Sequence, residues 1–487
     1  ALPKYLITIL NKPADFEPAN TIEATAEKLV GITSDANGKE VFVMSTSSFG
    51  ATQEAISAGL YDKKYPYANK LKDENFRTDE GTSEGYDANR VNIYVERLAA
   101  KFSLSIATNT DVFPVDVTIA GEINDQEGSA PSGHTKLYVK VYGYGLTGTE
   151  KQSYISKKID GFFDKAPFTA HGAIPNWCDC SNFRSYWGQS VHYGKQISIN
   201  DANEFTLNYT TYEEAMVKPG TPIYSTENTN IADNIRVDAT KTSGLVPAKV
   251  TCLILTAQVF TDQACTSPLE LVDFNNTYFT RPQFRKYVLQ RLTDGGGLNY
   301  YKRTGAGTEA DPYKYTQISA DDIELVDGDD ATTGFVIAKC KKSLEGVNLY
   351  QKLPGGTWSD TPIADAIAKI EAEMLNVVNT ETTRANLFKD GKMFYSVPIE
   401  HLNETRDKEE KAKYLVKEAN YGVVRNHWYN VHISNIVRLG QGIYDPDGGE
   451  DHDPEPIIPE NPENERFAVG AQINILSWKI VNIEQDL

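Results

Sequence analysis

The chain ends in the stretch RFAVGAQINILSWKIVNIEQDL, residues 466–487, and this stretch decides the fold class. It alternates apolar residues with small or polar ones, which is the two-residue period of a β-strand that buries one face. The apolar positions are Phe467, Val469, Ala471, Ile473 and Ile475, and after a shift of phase they continue as Leu476, Trp478 and Ile480. Because chain ends fray unless something holds them, an apolar strand at this end predicts a sheet that receives it.

Strand-like runs recur along the rest of the chain and are separated by Gly, Asn and Asp turns. They are KYLITIL (4–10), EVFVMST (40–46), VDVTIAGEI (115–123), TKLYVKVYGYG (135–145), AKVTCLILTAQVF (248–260), FVIAKC (335–340) and WYNVHISNIVRL (428–439). A parallel α/β sheet needs a helix between successive strands, and most of these runs have none between them. The pattern therefore predicts a mainly β protein of antiparallel β-sandwiches with a few short helices.

Three segments have helical patterns: QEAISAGL (53–60), RPQFRKYVLQRL (281–292) and TPIADAIAKIEAEMLNVVN (361–379). In the second, we expect Phe284, Val288 and Leu289 to face inward. In the third, four apolar residues share one face, which predicts a helix lying over a sheet: Ile363, Ile367, Ile370 and Met374. Thr361 is expected to cap this helix and Pro362 to occupy its first turn.

A β-hairpin is predicted shortly after the third helix. Asp390-Gly391 is a pair that adopts the two positive φ angles of a type I′ turn. We therefore expect ANLF (385–388) to pair with MFYSV (393–397) around it.

Composition sets the class of protein. A length of 487 residues predicts two or three domains. A formal charge of −19 excludes nucleic-acid binding and attachment to anionic membranes through a basic face, because both require clustered Lys and Arg. The sequence contains no run of about 20 apolar residues and no signal segment.

The five cysteines do not form a disulfide framework, because they are sparse and odd in number. Cys178 and Cys180, in WCDCSN, lack His or Cys partners at zinc-site spacing. Cys252 and Cys265 lie on either side of a predicted hairpin and could link its strands by a disulfide bond, which would leave Cys340 unpaired.

The segment DPDGGEDHDPEPIIPENPENE, residues 445–465, is predicted to be an extended linker. Its five prolines prevent regular helix, and its carboxylates repel one another. A linker of this kind spaces the C-terminal strand away from the strand that ends near Leu439, so the terminal strand can reach a different sheet.

No catalytic constellation is present: we find no GxSxG, HExxH, GxxxxGK[ST] or GxGxxG motif in a suitable context. The acidic clusters at 327–330 and 445–453 do not have calcium-loop spacing. We therefore predict a protein that is not an enzyme and has no cofactor and no metal site. The 27 tyrosines suit an interaction surface, but they equally suit β-sheets, which favour Tyr. A surface glycan-binding β-sandwich protein stays open as the alternative function.

Several stretches together resemble the fimbrillin family of Bacteroidales type V pili, and most closely the subunits that build the shaft of minor fimbriae. They are YVERLAAKFSL (94–104), RSYWGQS (184–190), IYSTENT (223–229), GKMFYSVPIEHL (391–402) and YGVVRNHWYNVHISNIVRLG (421–440), followed by ILSWKIV in the terminal strand. The order of these pieces, which spans nearly the whole chain, carries the resemblance.

The resemblance implies a polymerisation mechanism. Such subunits are exported as lipoproteins, and an Arg-specific protease removes an N-terminal segment, which leaves a groove that a neighbouring subunit's strand fills. It implies that the cut lies just before Ala1, and that the polymerisation strand is the apolar set Phe467, Val469, Ala471, Ile473, Ile475, Leu476, Trp478 and Ile480. The alternative is that residues 467–483 complete this chain's own sandwich.

The resemblance also implies the domains, the partners and the location. It implies two transthyretin-like β-sandwich domains, residues 1–185 and 186–465, followed by the donor strand 466–487. The implied partners are copies of the same chain in a head-to-tail filament, accessory anchor and tip subunits, and host or bacterial surface receptors. The implied location is a cell-surface fimbrium attached to the outer membrane, where it supports adhesion and biofilm formation.

Overall fold

The computed structural model describes most of the chain. The described residues are 2–34, 38–46, 65, 67–76, 91, 93, 95–107, 111–120, 133–158, 188–193, 206–229, 250–294, 298–328, 334–377, 385–399, 401, 422–448, 453–459 and 470–477. The predicted helix at 53–60 lies outside them, as do Cys178 and Cys180.

The described residues form 26 strands and three α-helices. The strands are β1 (Tyr5–Leu6), β2 (Ile9–Leu10), β3 (Leu29–Val30), β4 (Thr33–Ser34), β5 (Glu40–Val41), β6 (Met44–Thr46), β7 (Asn69–Lys70), β8 (Val95–Arg97), β9 (Ala99–Ile106), β10 (Val112–Ile119), β11 (Gly133–Thr147), β12 (Ser153–Tyr154), β13 (Ile223–Thr226), β14 (Cys252–Phe260), β15 (Leu271–Phe274), β16 (Thr277–Thr280), β17 (Tyr301–Thr304), β18 (Lys314–Gln317), β19 (Ile323–Asp327), β20 (Phe335–Cys340), β21 (Leu349–Tyr350), β22 (Ala385–Phe388), β23 (Lys392–Pro398), β24 (His427–Asn435), β25 (Gln441–Gly442) and β26 (Gly470–Ser477). The helices are α1 (Ile22–Ala26), α2 (Arg281–Asp294) and α3 (Ala366–Val377). The prediction of a mainly β protein with antiparallel sheets and a few short helices is confirmed.

Two sheets form a sandwich around the main hydrophobic core. The central sheet has ten strands in the order β19-β20-β22-β15-β16-β10-β11-β14-β23-β25, and the tail sheet has four in the order β13-β9-β24-β26. Alternate residues of β9 and β24 pack with alternate residues of β10, β11, β14 and β23, and these side chains are almost fully buried. The tail sheet is mixed, because β24 runs parallel to β9 and antiparallel to β26.

The two longer helices cover the other end of the central sheet. Phe284, Val288 and Leu292 of α2 and Ile370 and Met374 of α3 are buried in a second core. That core also contains residues of β15, β19, β20 and β22. The prediction that the third helix lies over a sheet is confirmed, as is the inward face of the second, with Leu289 partly buried.

The predicted start of the third helix is wrong. The helix α3 begins at Ala366, so Thr361 does not cap it. The backbone N–H of Ile363 instead donates to the carbonyl of Leu349 (2.7 Å), which holds this stretch extended. Asp365 then has a φ of 53°, outside the helical range, and the helix starts only after it.

The predicted hairpin at Asp390-Gly391 is wrong in its pairing. Both residues do have positive φ, 53° and 75°. A Cβ on Gly391 would lie 2.7 Å from the carbonyl oxygen of Val259, so the turn is packed as well as sharp. The strands on either side, however, pair elsewhere: β22 with β15 and β20, and β23 with β14 and β25. The turn therefore carries the chain between distant positions in the sheet order.

The predicted disulfide bond between Cys252 and Cys265 is also wrong, since both thiols are free. Cys252 begins β14, and Cys265 lies in the turn beyond the far end of this nine-residue strand. Cys340 is likewise a free, buried thiol.

The expected division at residue 185 does not coincide with a sheet boundary. Strands β10 and β11 precede it, yet they share the central sheet with strands that follow it, and β9 shares the tail sheet with β24. The two-domain division therefore stays a prediction.

Candidate functional site

The C-terminal strand β26 is the edge strand of the tail sheet and pairs with β24 over its whole length. Their register places Ile475 opposite Tyr429, Ile473 opposite Val431 and Ala471 opposite Ile433. In an antiparallel pair, residues directly opposite each other belong to the same face of the sheet. Ala471, Ile473 and Ile475 therefore lie on the face of the tail sheet that covers the main core.

The side chains of β24 on this face form the floor of the site. Tyr429, Val431 and Ile433 are fully buried. The ring of Tyr429 stacks on Phe102 with centroids 4.9 Å apart, and its hydroxyl lies 2.8 Å from Nδ1 of His401. Burial raises the pKa of Tyr429, so it stays neutral. We call this edge of β24 the tail seat.

The other face of β24 is polar and half-exposed. The indole N–H of Trp428 donates to the hydroxyl of Ser103 (2.7 Å), and that hydroxyl donates to the side-chain oxygen of Asn430 (2.9 Å). The Lys101 ammonium lies 4.3 Å from the Trp428 ring centroid. The register puts Leu476 opposite Trp428 and Asn474 opposite Asn430. Ile475 and Leu476 are adjacent in the strand and so lie on opposite faces, which means that the phase shift moves the apolar pattern from one face to the other.

Half of the predicted polymerisation residues fall within β26. Ala471, Ile473, Ile475 and Leu476 have the positions given above, whereas Phe467, Val469, Trp478 and Ile480 lie outside the described residues, as does Ala1. The assignment of the set to polymerisation stays a prediction.

The acidic segment before the strand is not the free linker that its composition predicts. Residues 453–459, which we call the strap, pack against the outer side of the central sheet. Ile457 and Ile458 are buried, and Ile457 shares a small core with Tyr212, Cys252 and Ile443 among others. Proline prevents helix here but does not prevent docking, and two adjacent isoleucines supply the apolar contact.

Glu455 fixes the strap from within. Its carboxylate accepts backbone N–H donors from Gly334 (2.7 Å), Tyr444 (2.9 Å) and Asp445 (3.2 Å). Burial nevertheless raises the pKa of Glu455 to about 7, more than these donors lower it. Ion pairs of Lys389 with Asp445 and of Lys392 with Asp447 hold the chain just before the strap.

A buried ionic cluster lies next to the start of β24, and it was not predicted from the sequence. The Arg425 guanidinium lies 2.9 Å from the Glu227 carboxylate and donates to the carbonyls of Tyr154 and Ile155. Lys157 and Glu96, 3.7 Å apart, form a second buried pair. Burial lowers the pKa of nearby His427 to about 4. These residues are far apart along the chain, so no local pattern links them. A single charge in an apolar run, such as Arg425 in VVRNH, was the one sequence signal that indicated a buried ion pair.

A small sheet of three strands, β18-β17-β21, carries a cluster of aromatic side chains. Tyr315 stacks on Trp358 with centroids 3.8 Å apart, and the Arg303 guanidinium lies 4.2 Å from the ring of Tyr313 and 3.9 Å from the ring of Tyr350. Tyr313 is 46% exposed. Within the described residues Arg303 has no carboxylate partner.

The described residues contain no group of three or more His, Cys, Asp or Glu side chains placed to hold a metal ion. Nor do they contain a helix that is both long and apolar enough to cross a membrane.

Residues 386–484 match the family model described as "Major fimbrial subunit protein type IV, Fimbrillin, C-terminal". The match takes in most of β22 and all of β23 to β26, and with them the tail seat, the strap and the tail strand. Comparison with curated proteins finds no match. The match covers 99 of the 487 residues, and it supports a fimbrillin family member through the likeness of this C-terminal part alone.

Proposed function

Because its C-terminal part matches the fimbrillin family, we propose that this chain is a shaft subunit of a type V fimbrium, of the minor type, and that it polymerises by exchange of its C-terminal strand. In the filament, the β26 segment of one copy occupies the tail seat of the next copy. The observation that carries the proposal is the position of β26: it lies at a sheet edge, and its register with β24 puts Ala471, Ile473 and Ile475 opposite fully buried residues.

Edge position makes the exchange possible. A strand at the edge of a sheet can leave by breaking one ladder of hydrogen bonds, and the exposed edge is then a template for an identical strand from another chain. Each copy gives one strand and receives one at a different place, so the contact is head-to-tail and does not close on itself. The product is an open filament.

The energetic balance of this exchange defines what else it requires. Replacing a chain's own β26 by a neighbour's β26 makes the same contacts, so the seat alone gives no net gain, while association costs entropy. The driving force must come from contacts that only the filament makes. We assign these to the apolar residues on both sides of β26, namely Phe467, Val469, Trp478 and Ile480, together with a groove opened by proteolytic removal of an N-terminal segment. Burial of a large apolar side chain contributes roughly 1.5–3 kcal/mol.

The remaining parts of the proposal follow from the family. The filament is anchored at the outer membrane, carries accessory anchor and tip subunits, and supports adhesion and biofilm formation through host or bacterial surface receptors.

Removal of the tail tests this function. The precursor is produced in its own host with and without a stop before Phe467, and scored by electron microscopy for fibres and by circular dichroism for folding. We expect folded monomers without fibres from the truncated chain. Normal fibres from the truncated chain would refute strand exchange through this segment. Unfolded protein would show that the tail is required for this chain's own core.

Glycan binding remains a second candidate function, favoured by the aromatic cluster on β18-β17-β21. Stacked aromatic rings beside a guanidinium without a carboxylate partner suit the ring faces and carboxylates of acidic sugars. An acidic-glycan panel tests it with the intact chain and with Arg303→Ala, whose matched control is Arg291→Ala on helix α2. Binding that Arg303→Ala abolishes supports this function, and no binding to any glycan refutes it.

A further inference from the structure

We infer that the strap, residues 453–459, stays bound to its own subunit when the tail strand moves to a neighbour, so that only the ten residues 460–469 span the junction between subunits. The inference rests on the proposed strand exchange and adds a fixed point to it. It replaces the whole acidic segment 445–465 as the tether with a much shorter one.

The first support is the set of hydrogen bonds that the strap makes through its backbone. The N–H of Ile457 donates to the carbonyl of Thr210 (2.7 Å), and the carbonyl of Ile457 accepts the hydroxyl of Thr147 (2.6 Å). Pro456 and Thr211 are backbone partners in an antiparallel bridge. These partners come from β11 and from the segment that begins at residue 206, so two separate parts of the chain hold the strap.

The second support is the apolar surface that the strap covers. Ile457 is fully buried together with Cys252 and Ile254 of β14, and Phe394 of β23 belongs to the same cluster. These side chains lie on the outer side of the central sheet, opposite the main core. Lifting the strap would expose this apolar face to water, which is unfavourable.

The third support is the bonding of Glu455. Three backbone N–H groups converge on its carboxylate, and its own N–H donates to the carbonyl of Asp445 (3.0 Å). Removing the strap leaves those N–H donors without their acceptor, which is unfavourable wherever the donor stays buried. A swap that included the strap would have to break all these anchors together with the β24–β26 ladder before a neighbour's strap could re-form them, so the anchors raise the barrier to such a swap. A swap of the tail alone breaks only the ladder.

A geometric consequence follows for the filament. Ten residues span at most about 35 Å when fully extended. The end of the strap in one copy must therefore lie within roughly that distance of the tail seat in the next copy.

Two engineered disulfides separate this inference from the proposed function. The strap lock is Thr211→Cys with Pro456→Cys, and the tail lock is Asn430→Cys with Asn474→Cys; each joins backbone partners. Both are made in a background with Cys178, Cys180 and Cys265 replaced by Ser, and circular dichroism checks folding. We expect strap-locked chains to form fibres and tail-locked chains to form them only after reduction. Strap-locked chains that form fibres only after reduction would overturn the inference. Tail-locked chains that form fibres without reduction would instead overturn the proposed strand exchange.

A mixing experiment covers the case in which a locked pair disturbs folding. Copies carrying only Thr211→Cys are co-assembled with copies carrying only Pro456→Cys, and the fibres are oxidised. A strap that stays with its own subunit gives no cross-linked dimers on a denaturing gel. Cross-linked dimers would show that the strap also passes to the neighbour.

Discussion

Ile473 of the terminal strand lies directly opposite Val431 of β24, and Val431 is fully buried in the main core. Residues 470–477 are thus built into the tail sheet of their own molecule. Residues 470–477 occupy the arrangement expected if the tail completes its own sandwich, and this arrangement is also the starting state that strand exchange requires. The seat and the strand come from one chain, so every copy offers both.

The two faces of β26 should respond differently to charge. In Ile473→Asp, a carboxylate enters the face over the buried floor, and we expect fibre yield to fall at least tenfold because an unpaired charge there is costly. The matched control is Gln472→Asp, opposite half-exposed His432, which should assemble normally. Electron microscopy of both variants, with circular dichroism for folding, measures this. Equal fibre yields would contradict the register.

The buried pair of Arg425 and Glu227 should be sensitive to removal of one partner. We expect Arg425→Met to lower the free energy of unfolding by about 3–5 kcal/mol, because Glu227 is left as an uncompensated buried charge. The double variant Arg425→Met with Glu227→Gln should recover part of this loss. Exposed Arg438→Met is the control and should change stability by less than about 0.5 kcal/mol. Denaturant unfolding of all four proteins decides the matter, and a double variant less stable than Arg425→Met would argue against the charge explanation.

Glu455 should make the folded chain less stable as pH rises from about 4.5 to about 7. Its pKa is raised to about 7 by burial, so the folded state holds a proton that the unfolded state has already released in this range. At about 1.4 kcal/mol per pH unit over about 2.5 units, the loss is roughly 3–4 kcal/mol. His427 has the opposite effect, because burial lowers its pKa to about 4. Its contribution makes the folded chain less stable as pH falls below about 6.5.

The difference between wild type and Glu455→Gln isolates this carboxyl from His427. Thermal unfolding of both proteins is measured at pH 5, 6, 7 and 8. The free energy of unfolding of the wild type should fall relative to that of Glu455→Gln up to pH 7, and the difference should be constant above pH 7. A difference that is constant from pH 5 to pH 8 would show that Glu455 is ionised throughout.

Helix α3 should tolerate change on one face only. Met374 is fully buried and Leu375 is 56% exposed. Met374→Ala should cost about 2–5 kcal/mol of stability by leaving a cavity, and Leu375→Ala less than about 0.5 kcal/mol. The two midpoints of denaturant unfolding provide the comparison. Similar losses in both variants would mean that the helix packs on a different face.

Local patterns in the sequence predict the elements of this fold well. The two-residue period marked β11, β24 and β26, and the spacing of Phe284, Val288, Ile370 and Met374 marked the inner faces of two helices. These signals are local because each follows from the periodicity of one element and the single face that it buries.

Pairing over long sequence distances was beyond those patterns. The Asp390-Gly391 turn has the predicted positive φ angles, yet the adjacent strands have other partners, because sheet order depends on contacts with segments more than a hundred residues away. The prolines and carboxylates of the strap predicted a free linker. The two adjacent isoleucines within it, which are buried in the structure, were the signal for docking. The Arg425 cluster joins four distant segments, and no spacing rule links them.

The central claim is that the tail of one copy occupies the tail seat of the next, and cross-linking between copies tests it most directly. Chains carrying only Asn430→Cys are mixed with chains carrying only Asn474→Cys, assembled and oxidised, with the double variant as the control for an intramolecular bond. The account predicts cross-linked dimers from the mixed fibres, because these two positions are opposite each other in the seat. Fibres that give no cross-linked dimers, while the double variant forms its disulfide within one chain, would contradict it.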